Sequence, residues 1–234
     1  TPLGGSATET KRTVLTGQET SVVAEGTEGP VGGAISGSDA VRTLTQCVKP
    51  VSQGVIALPA TADTQLKIVN PDASEAAIDL TLYGAEGEIQ ALGARGITLA
   101  AYQERTIALS VLTEKATPVG VSFQASRGRA AVMAITQTQS SGTAAGPSQL
   151  GTSHLLPGIP AGATSSVVVL ANPSETRITA NLTAYGTTPA YQPQGGGNIS
   201  IPPHASVSVS LENALLGEAS AIQVNSDAPV MAGM

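Results

Sequence analysis

The sequence predicts an all-β protein built from two similar units, and three observations lead to this prediction. The stretch Leu-Lys-Ile-Val-Asn-Pro at residues 66–71, followed by residues 78–84, returns without a gap at residues 168–173 and 180–186. Apolar and polar side chains alternate in both copies, as in strands with one buried face. Threonine, valine, serine and glycine dominate, with frequent Gly and Pro breaks, which favours short strands over helices.

The first unit contains a series of short predicted strands bounded by turn residues. Asn70-Pro71 ends one of them, because proline cannot donate a ladder hydrogen bond and holds the residue before it extended. Gly128 marks a tight turn at residues 126–129. The predicted strands are 34–35, 41–47, 55–58, 66–69, 78–82, 97–99, 106–111, 119–125 and 130–138, with two weaker ones at 12–15 and 20–24.

The second unit repeats this order. Leu182 corresponds to Leu80, and both are expected to point into a core, whereas Tyr83 and Tyr185 point outward by alternation. The predicted strands are 168–171, 180–184, 199–201, 206–211 and 221–225. Residues 226–229 are the predicted counterpart of the turn at 126–129, and the sequence stops at Met234 inside the expected last strand.

Strand lengths and turn spacing indicate the fold of each unit. Several short strands with turns about every 8–12 residues are typical of an immunoglobulin-like antiparallel β-sandwich. We therefore predict two tandem sandwiches, with an N-terminal segment that adds strands to the first. The expected boundaries are a disordered tail at 1–11, a first sandwich at 12–139, a linker at 140–153 and a second sandwich at 154–234.

Composition argues against several classes of function. The net charge is −6 and charged residues make up 12% of the chain, with no basic stripe that would bind nucleic acid. Cys47 is the single cysteine, so no internal disulfide can form. His154 and His204 are expected in solvated loops, and neither a nucleophile–base pair nor a metal-ligand spacing occurs. We expect a non-enzymatic protein without catalytic residues, metal or cofactor.

Four residues are candidates for contact with a partner. Tyr83 and Tyr185 recur at one strand position, which indicates either cover for a sandwich edge or a repeated contact site. Arg127 and Arg129 flank a glycine at a turn, where they are either solvated or a docking point for an acidic partner.

The order of the motifs resembles a known family. Val-Arg-Thr-Leu-Thr-Gln-Cys at 41–47 leads into a short apolar strand and then the duplicated segment, and Asp-Ala-Pro-Val-Met-Ala-Gly at 227–233 ends the second unit. The likeness covers residues 38–234 and is to actinobacterial extracytoplasmic proteins of unassigned function, in which tandem immunoglobulin-like repeats usually follow an N-terminal membrane anchor. This chain departs from the pattern at residues 54–55, where Gly-Val stands in place of an expected aromatic residue.

The resemblance implies a cell-envelope or secreted location, with any targeting or anchoring segment preceding residue 1. We expect an interaction or scaffold protein whose partner is another envelope protein or a cell-wall polymer. The alternative is a carbohydrate- or cell-wall-binding module, which would need an exposed aromatic platform. The tyrosines that could build one are Tyr83, Tyr102, Tyr185 and Tyr191.

Overall fold

The computed structural model describes residues 34–36, 44–46, 48–113, 118–137, 142–163 and 166–234. Within these ranges the protein is all-β apart from one short helix, and its strands pair antiparallel in several sheets. The elements in chain order are β1 (Ala34–Ser36), β2 (Leu44–Gln46), β3 (Gln53–Pro59), β4 (Thr64–Val69), β5 (Ala76–Gly84), β6 (Gly87–Ile89), β7 (Ile97–Leu99), β8 (Glu104–Ala108), α1 (Leu109–Leu112), β9 (Pro118–Arg127), β10 (Ala131–Gln137), β11 (Gly142–Ala145), β12 (Gly151–Ile159), β13 (Val167–Ala171), β14 (Ile178–Tyr185), β15 (Ile199–Ile201), β16 (Ser206–Ser210) and β17 (Ser220–Gly233).

Two sheets of the first unit enclose one hydrophobic core. One sheet has the strand order β3-β9-β5-β6, with β7 also paired to β5. The other has the order β11-β10-β4-β8. The core takes side chains from both sheets, including Leu66 and Ile68 of β4 and Leu80 and Leu82 of β5. Burial alternates along β4 and β5, so the predicted period of two is confirmed.

β17 connects the two sheets of the second unit. Its residues 220–230 pair with β12 and β14, and β15 pairs with the other edge of β14. Its residues 231–233 pair with β13, which also pairs with β16. Leu170, Leu182 and Val224 belong to the core between these strands. Leu182 is buried like Leu80, as the duplicated pattern predicts.

A buried asparagine organises the same turn in both units, after β4 and after β13. The Asn70 amide donates to the backbone oxygens of Ser74, Leu99 and Ala100, at 2.7, 3.3 and 2.8 Å. The Asn172 amide donates to the equivalent oxygens of Thr176, Ile201 and Pro202, at 2.7, 3.2 and 3.1 Å. The asparagine thus ties the turn that follows its own strand to the end of a strand about 30 residues later, β7 or β15.

The predicted strand at 106–111 is only partly correct. β8 ends at Ala108, and the next four residues form α1. Leu109 and Leu112 are both buried in the first core. Residues three apart share a face of a helix but lie on opposite faces of a strand, so a helical turn buries both leucines.

The turn predicted at residues 226–229 is wrong, because β17 continues through this segment. Only Thr152 of β12 stands opposite these four residues, between the pairs Gly151–Val230 and Ser153–Asn225. The segment is therefore a bulge in a continuous strand. The first unit reverses at Gly128, which has a φ of 71°, and no glycine stands at 226–229 to allow the same turn.

The linker predicted at residues 140–153 contains strands in its described part. β11 pairs with β10 of the first unit, and β12 pairs with β17 of the second. Both strands lie beside an edge whose backbone groups would otherwise lack ladder partners, and this explains why a Gly- and Ser-rich segment becomes extended there. The sequence analysis also missed β6, which forms a hairpin with β5.

The N-terminal segment is described only in part. β1 and β2 confirm strands near residues 34–35 and within 41–47, and in the described ranges they pair with each other as a separate two-stranded sheet. The predicted tail at 1–11, the predicted strands at 12–15 and 20–24, and Cys47 lie outside the described residues.

Candidate interaction surface

The two units meet through a small apolar cluster that we call the junction. The first unit contributes Val55 and Ala57 from β3 and Tyr83 from β5, and the second contributes Val169, Ala171 and Met231. All six side chains are buried. These residues alternate along their strands with residues of the two unit cores, so the outer face of one sheet in each unit is buried against the other unit.

Glycines allow this close approach. A Cβ atom at Gly120 of β9 would collide with the Ala171 side chain, and one at Gly233 would collide with the backbone of Ala57. The sheets therefore pack more closely at these two points than any larger residue would permit.

Tyr83, the first of the four candidates for partner contact, lies inside the junction. It points away from its own core, as alternation predicted, but it is only 7% exposed because the second unit covers it. Its hydroxyl lies 3.4 Å from Ser122 Oγ. Tyr83 is thus a contact between the units and not a surface available to a partner.

The two histidines are less solvated than the sequence analysis expected. The His204 ring stacks on Tyr83, with centroids 6.4 Å apart and planes 16° apart, and its Nε2 lies 3.0 Å from Glu175 Oε2. Its Nδ1 is buried without a hydrogen-bond partner among the described residues. His154 lies on β12, where Nε2 is 3.0 Å from two backbone oxygens, one of them that of Val230. Both rings therefore have structural contacts at the sites they occupy.

Tyr185 has the opposite environment to Tyr83, although the two positions correspond. It is 43% exposed, and its hydroxyl donates to Gln223 Oε1 at 2.6 Å. It belongs to the outer side of β12, β17 and β14, where cross-strand pairing also places Leu155, Thr183, Ala221 and Gln223. We call these five residues the open face. Leu155 is 63% exposed within it.

Arg127 and Arg129 have acidic partners in the turn between β4 and β5. Arg127 Nη1 lies 2.7 Å from Glu75 Oε1, and Arg129 holds the Asp72 carboxylate through two nitrogen atoms, at 2.9 and 3.0 Å. The hydrogen bond from Arg129 lowers the pKa of Asp72; partial desolvation opposes this change, and the charge of Arg129 adds to it. An acidic partner would have to displace carboxylates that already neutralise these arginines.

The remaining tyrosines divide between surface and core. Tyr102 is 72% exposed in the turn between β7 and β8. Tyr191 pairs through its backbone with Ala184 and packs against the second core. The exposed tyrosines, Tyr102 and Tyr185, thus lie in different units.

Within the described part of the chain, no group of three or more His, Cys, Asp and Glu side chains is arranged to hold a metal ion. No helix there has the length and apolar character needed to cross a membrane.

The comparison with protein families covers nearly the whole sequence, with a match over residues 3–234. The chain belongs to DUF5719, a family of unknown function. For this DUF5719 protein, comparison with curated proteins and with solved structures finds no match. Two features of this member escaped the sequence analysis. One is the buried asparagine, signalled by an Asn-Pro pair that recurs at the same position, and the other is the open face, for which no local signal exists.

Proposed function

We propose that this protein is a non-enzymatic interaction or scaffold protein of the cell envelope. The junction is the observation that carries the proposal. A buried apolar interface between two units opposes the relative motion that is otherwise expected of linked domains. The outer faces of the two units are then held at a constant spacing, which is a useful property in a protein that positions partners.

The finer architecture in this proposal is a pair of tandem immunoglobulin-like sandwiches. Two observations support it: each unit has antiparallel strands on both sides of one core, and the buried asparagine recurs at the equivalent turn. The extracytoplasmic, actinobacterial origin is proposed on the resemblance described above. The low content of charged residues, 12%, supports export.

We propose another envelope protein as the first class of partner and a cell-wall polymer as the second. The second class is favoured by the chemistry of the open face, which combines the ring of Tyr185 with the amide of Gln223 and the hydroxyl of Thr183. Sugars are bound by aromatic rings flanked by such polar groups.

Photocrosslinking in intact cells tests the proposal. A photoreactive residue at position 155 samples the open face, and one at position 92 is the matched control, because Leu92 is exposed on the first unit away from that face. A scaffold should give a discrete crosslinked product from position 155 and none from position 92. Diffuse products, or equal products from both positions, would contradict a specific contact through the open face.

Two further measurements separate the parts of the proposal. Cell fractionation should place the protein in the envelope or the medium, and a cytoplasmic protein would rule out the envelope role. Titration with peptidoglycan fragments and glycans distinguishes the partner classes. Saturable binding that is lost in Tyr185→Ala but kept in Leu92→Ala would favour the cell-wall polymer over a protein partner.

A further inference from the structure

The open face of the second unit is the counterpart of the face that the first unit buries in the junction. Both lie on the outer side of a sheet, and equivalent cross-strand pairs build them. The pairs are Thr81–Ser122 and Tyr83–Gly120 in the first unit, and Thr183–Gln223 and Tyr185–Ala221 in the second. The two faces therefore differ in the side chains at equivalent places and not in strand architecture.

The side chains at two of these places differ in size and polarity. The face that packs against protein carries Gly120 and Ser122, whereas Ala221 and Gln223 stand on the open face. A Cβ atom at Gly120 would collide with the Ala171 side chain, so the open face cannot receive a second sheet in the same way. Its long amide side chain instead suits a ligand that is recognised through hydrogen bonds.

A row of three polar residues continues the open face along its strands. Asn225 of β17 pairs with Ser153 of β12 on one side and with Asn181 of β14 on the other. Each of the three lies two residues from a member of the open face on the same strand, so their side chains share its outer side. We call Ser153, Asn181 and Asn225 the polar row.

Hydrogen bonds between side chains connect the open face with the polar row. The Tyr185 hydroxyl donates to Gln223 Oε1 at 2.6 Å. The Gln223 amide nitrogen donates to Ser153 Oγ and to Asn225 Oδ1, at 3.3 and 3.4 Å. This network orders the polar groups before any ligand binds, which lowers the entropy cost of binding.

Two amide nitrogens of the polar row are available to a ligand. Asn181 Oδ1 accepts the backbone N–H of Asn198 at 2.9 Å, and Asn225 Oδ1 accepts the bond from Gln223. Within the described ranges neither Nδ2 atom has a hydrogen-bond partner, so each can donate outward. The Tyr185 ring, which is 43% exposed, offers an apolar surface on the same side of the sheet.

Charge narrows the class of ligand. None of the eight residues of the open face and the polar row is charged. Acidic residues follow beyond each end of β17's part in them, with Glu218 before Ala221 and Asp227 after Asn225. Hydrogen bonds from the hydroxyls of the two threonines at 187–188 lower the pKa of the Glu218 carboxyl and keep it ionised. An anionic ligand would be repelled from both ends, whereas an uncharged one would not.

We propose that an uncharged polysaccharide binds across the open face and the polar row. A sugar hydroxyl both donates and accepts hydrogen bonds, as the amides of Asn181, Gln223 and Asn225 do. The apolar side of a sugar ring packs on the Tyr185 ring. This inference rests on the proposed function and deepens its second class of partner, because it selects uncharged wall polymers over acidic ones.

The shape of the site sets the expected strength of binding. Its three rows are about 6.7 Å apart along the strands, so they span about 13 Å of a surface that is open on its outer side. Such a surface contacts a short stretch of polymer without enclosing it, and it therefore buries less of the ligand than a pocket does. We expect weak, reversible binding that depends on the Tyr185 ring.

Affinity electrophoresis of the purified full chain tests the proposal. The probe is polysaccharide released from the cell wall of the organism that encodes the protein, separated by anion exchange into an uncharged and an acidic fraction. The uncharged fraction in a native gel should retard the chain, and Tyr185→Ala should weaken this binding at least about tenfold.

Tyr102→Ala is the matched control, because Tyr102 is an exposed tyrosine outside the site, and this variant should bind like the unchanged chain. Circular dichroism confirms that both variants fold. Retardation by the acidic fraction, no retardation by either fraction, or equal loss of binding in the two variants overturns the proposal.

Nuclear magnetic resonance of the isotope-labelled full chain tests the location of the site. The side-chain amide signals of Gln223 and Asn225 should shift when the uncharged fraction is added. Those of Asn172, which is fully buried, should not. Shifts confined to other residues place the ligand elsewhere and overturn the proposal.

Failure of this inference and failure of the proposed function give different results. If neither fraction binds while crosslinking in cells from position 155 captures an envelope protein, this inference fails and the scaffold role stands. If the uncharged fraction binds but cell fractionation places the protein in the cytoplasm, the envelope role fails and the binding site stands.

Discussion

Replacement of Asn172 should strongly destabilise the protein, because the side chain is fully buried and both its amide nitrogen and its oxygen are hydrogen-bonded. In Asn172→Ala, three backbone oxygens lose a donor, and the backbone N–H of Ser174 loses an acceptor at 2.8 Å. In Asn172→Asp, the shape of the side chain is kept but the donor is removed. The negative charge then faces the same carbonyl oxygens in a fully buried site.

The magnitude follows from these contacts. The Pro202 oxygen keeps a hydrogen bond from the backbone N–H of Ala205, and the Thr176 oxygen keeps one from the Ser174 hydroxyl. The groups that lose a partner in Asn172→Ala are therefore the Ile201 oxygen and the Ser174 N–H. An unsatisfied buried group costs about 1–3 kcal/mol. We expect Asn172→Ala to lower the free energy of unfolding by about 3 kcal/mol, and Asn172→Asp to lower it by more than that at neutral pH.

Urea unfolding followed by far-ultraviolet circular dichroism measures both changes. The matched control is Asn225→Asp, because Asn225 is exposed and its Oδ1 only accepts a bond from Gln223, at 3.4 Å. The buried site raises the pKa of the carboxyl introduced by Asn172→Asp above its unfolded value of about 3.9. Its penalty therefore grows as the pH rises above about 4 and shrinks below it.

Equal stability of Asn172→Asp and Asn225→Asp at pH 7 would refute this reasoning. A penalty for Asn172→Asp that does not change between neutral and acidic pH would refute the electrostatic part alone.

Two other perturbations test the junction and the arginine-bound turn. Gly120→Val should overpack the junction, separate the two units and lower the free energy of unfolding by about 1–3 kcal/mol in the same urea titration. The control is Ala221→Val, at the matching position of the open face, which should change the free energy of unfolding by less than about 0.5 kcal/mol. Asp72→Asn should flatten the acid limb of the stability–pH curve, with Glu86→Gln as the exposed control. Because the folded state lowers the pKa of Asp72, the ionised carboxylate contributes fully to the free energy of unfolding above the pKa of the unfolded state. This contribution is lost as the pH falls through the pKa of the folded state.

Sequence patterns are sufficient to predict the strands that carry the two cores, because the alternation of apolar and polar side chains is a local property. Leu80 and Leu182 lie in the two cores as their alternation predicts, and the repeated Asn-Pro pair marks the same turn twice. The patterns are insufficient for β12, whose side chains do not alternate. That segment is extended because the edge of β17 offers it backbone partners, and this reason lies elsewhere in the chain.

The contrast between Tyr83 and Tyr185 shows what the sequence determines by itself and what the tertiary structure decides. The residues on either side direct both rings away from the core of their unit, and the sequence alone determines this direction. Tertiary structure alone decides that Tyr83 is buried and Tyr185 is exposed, because among the described residues the second unit covers Tyr83 at the junction and nothing covers Tyr185 to the same extent. Alternation fixes which side of a sheet a residue occupies, but the contents of the space beyond that side depend on contacts between distant parts of the chain.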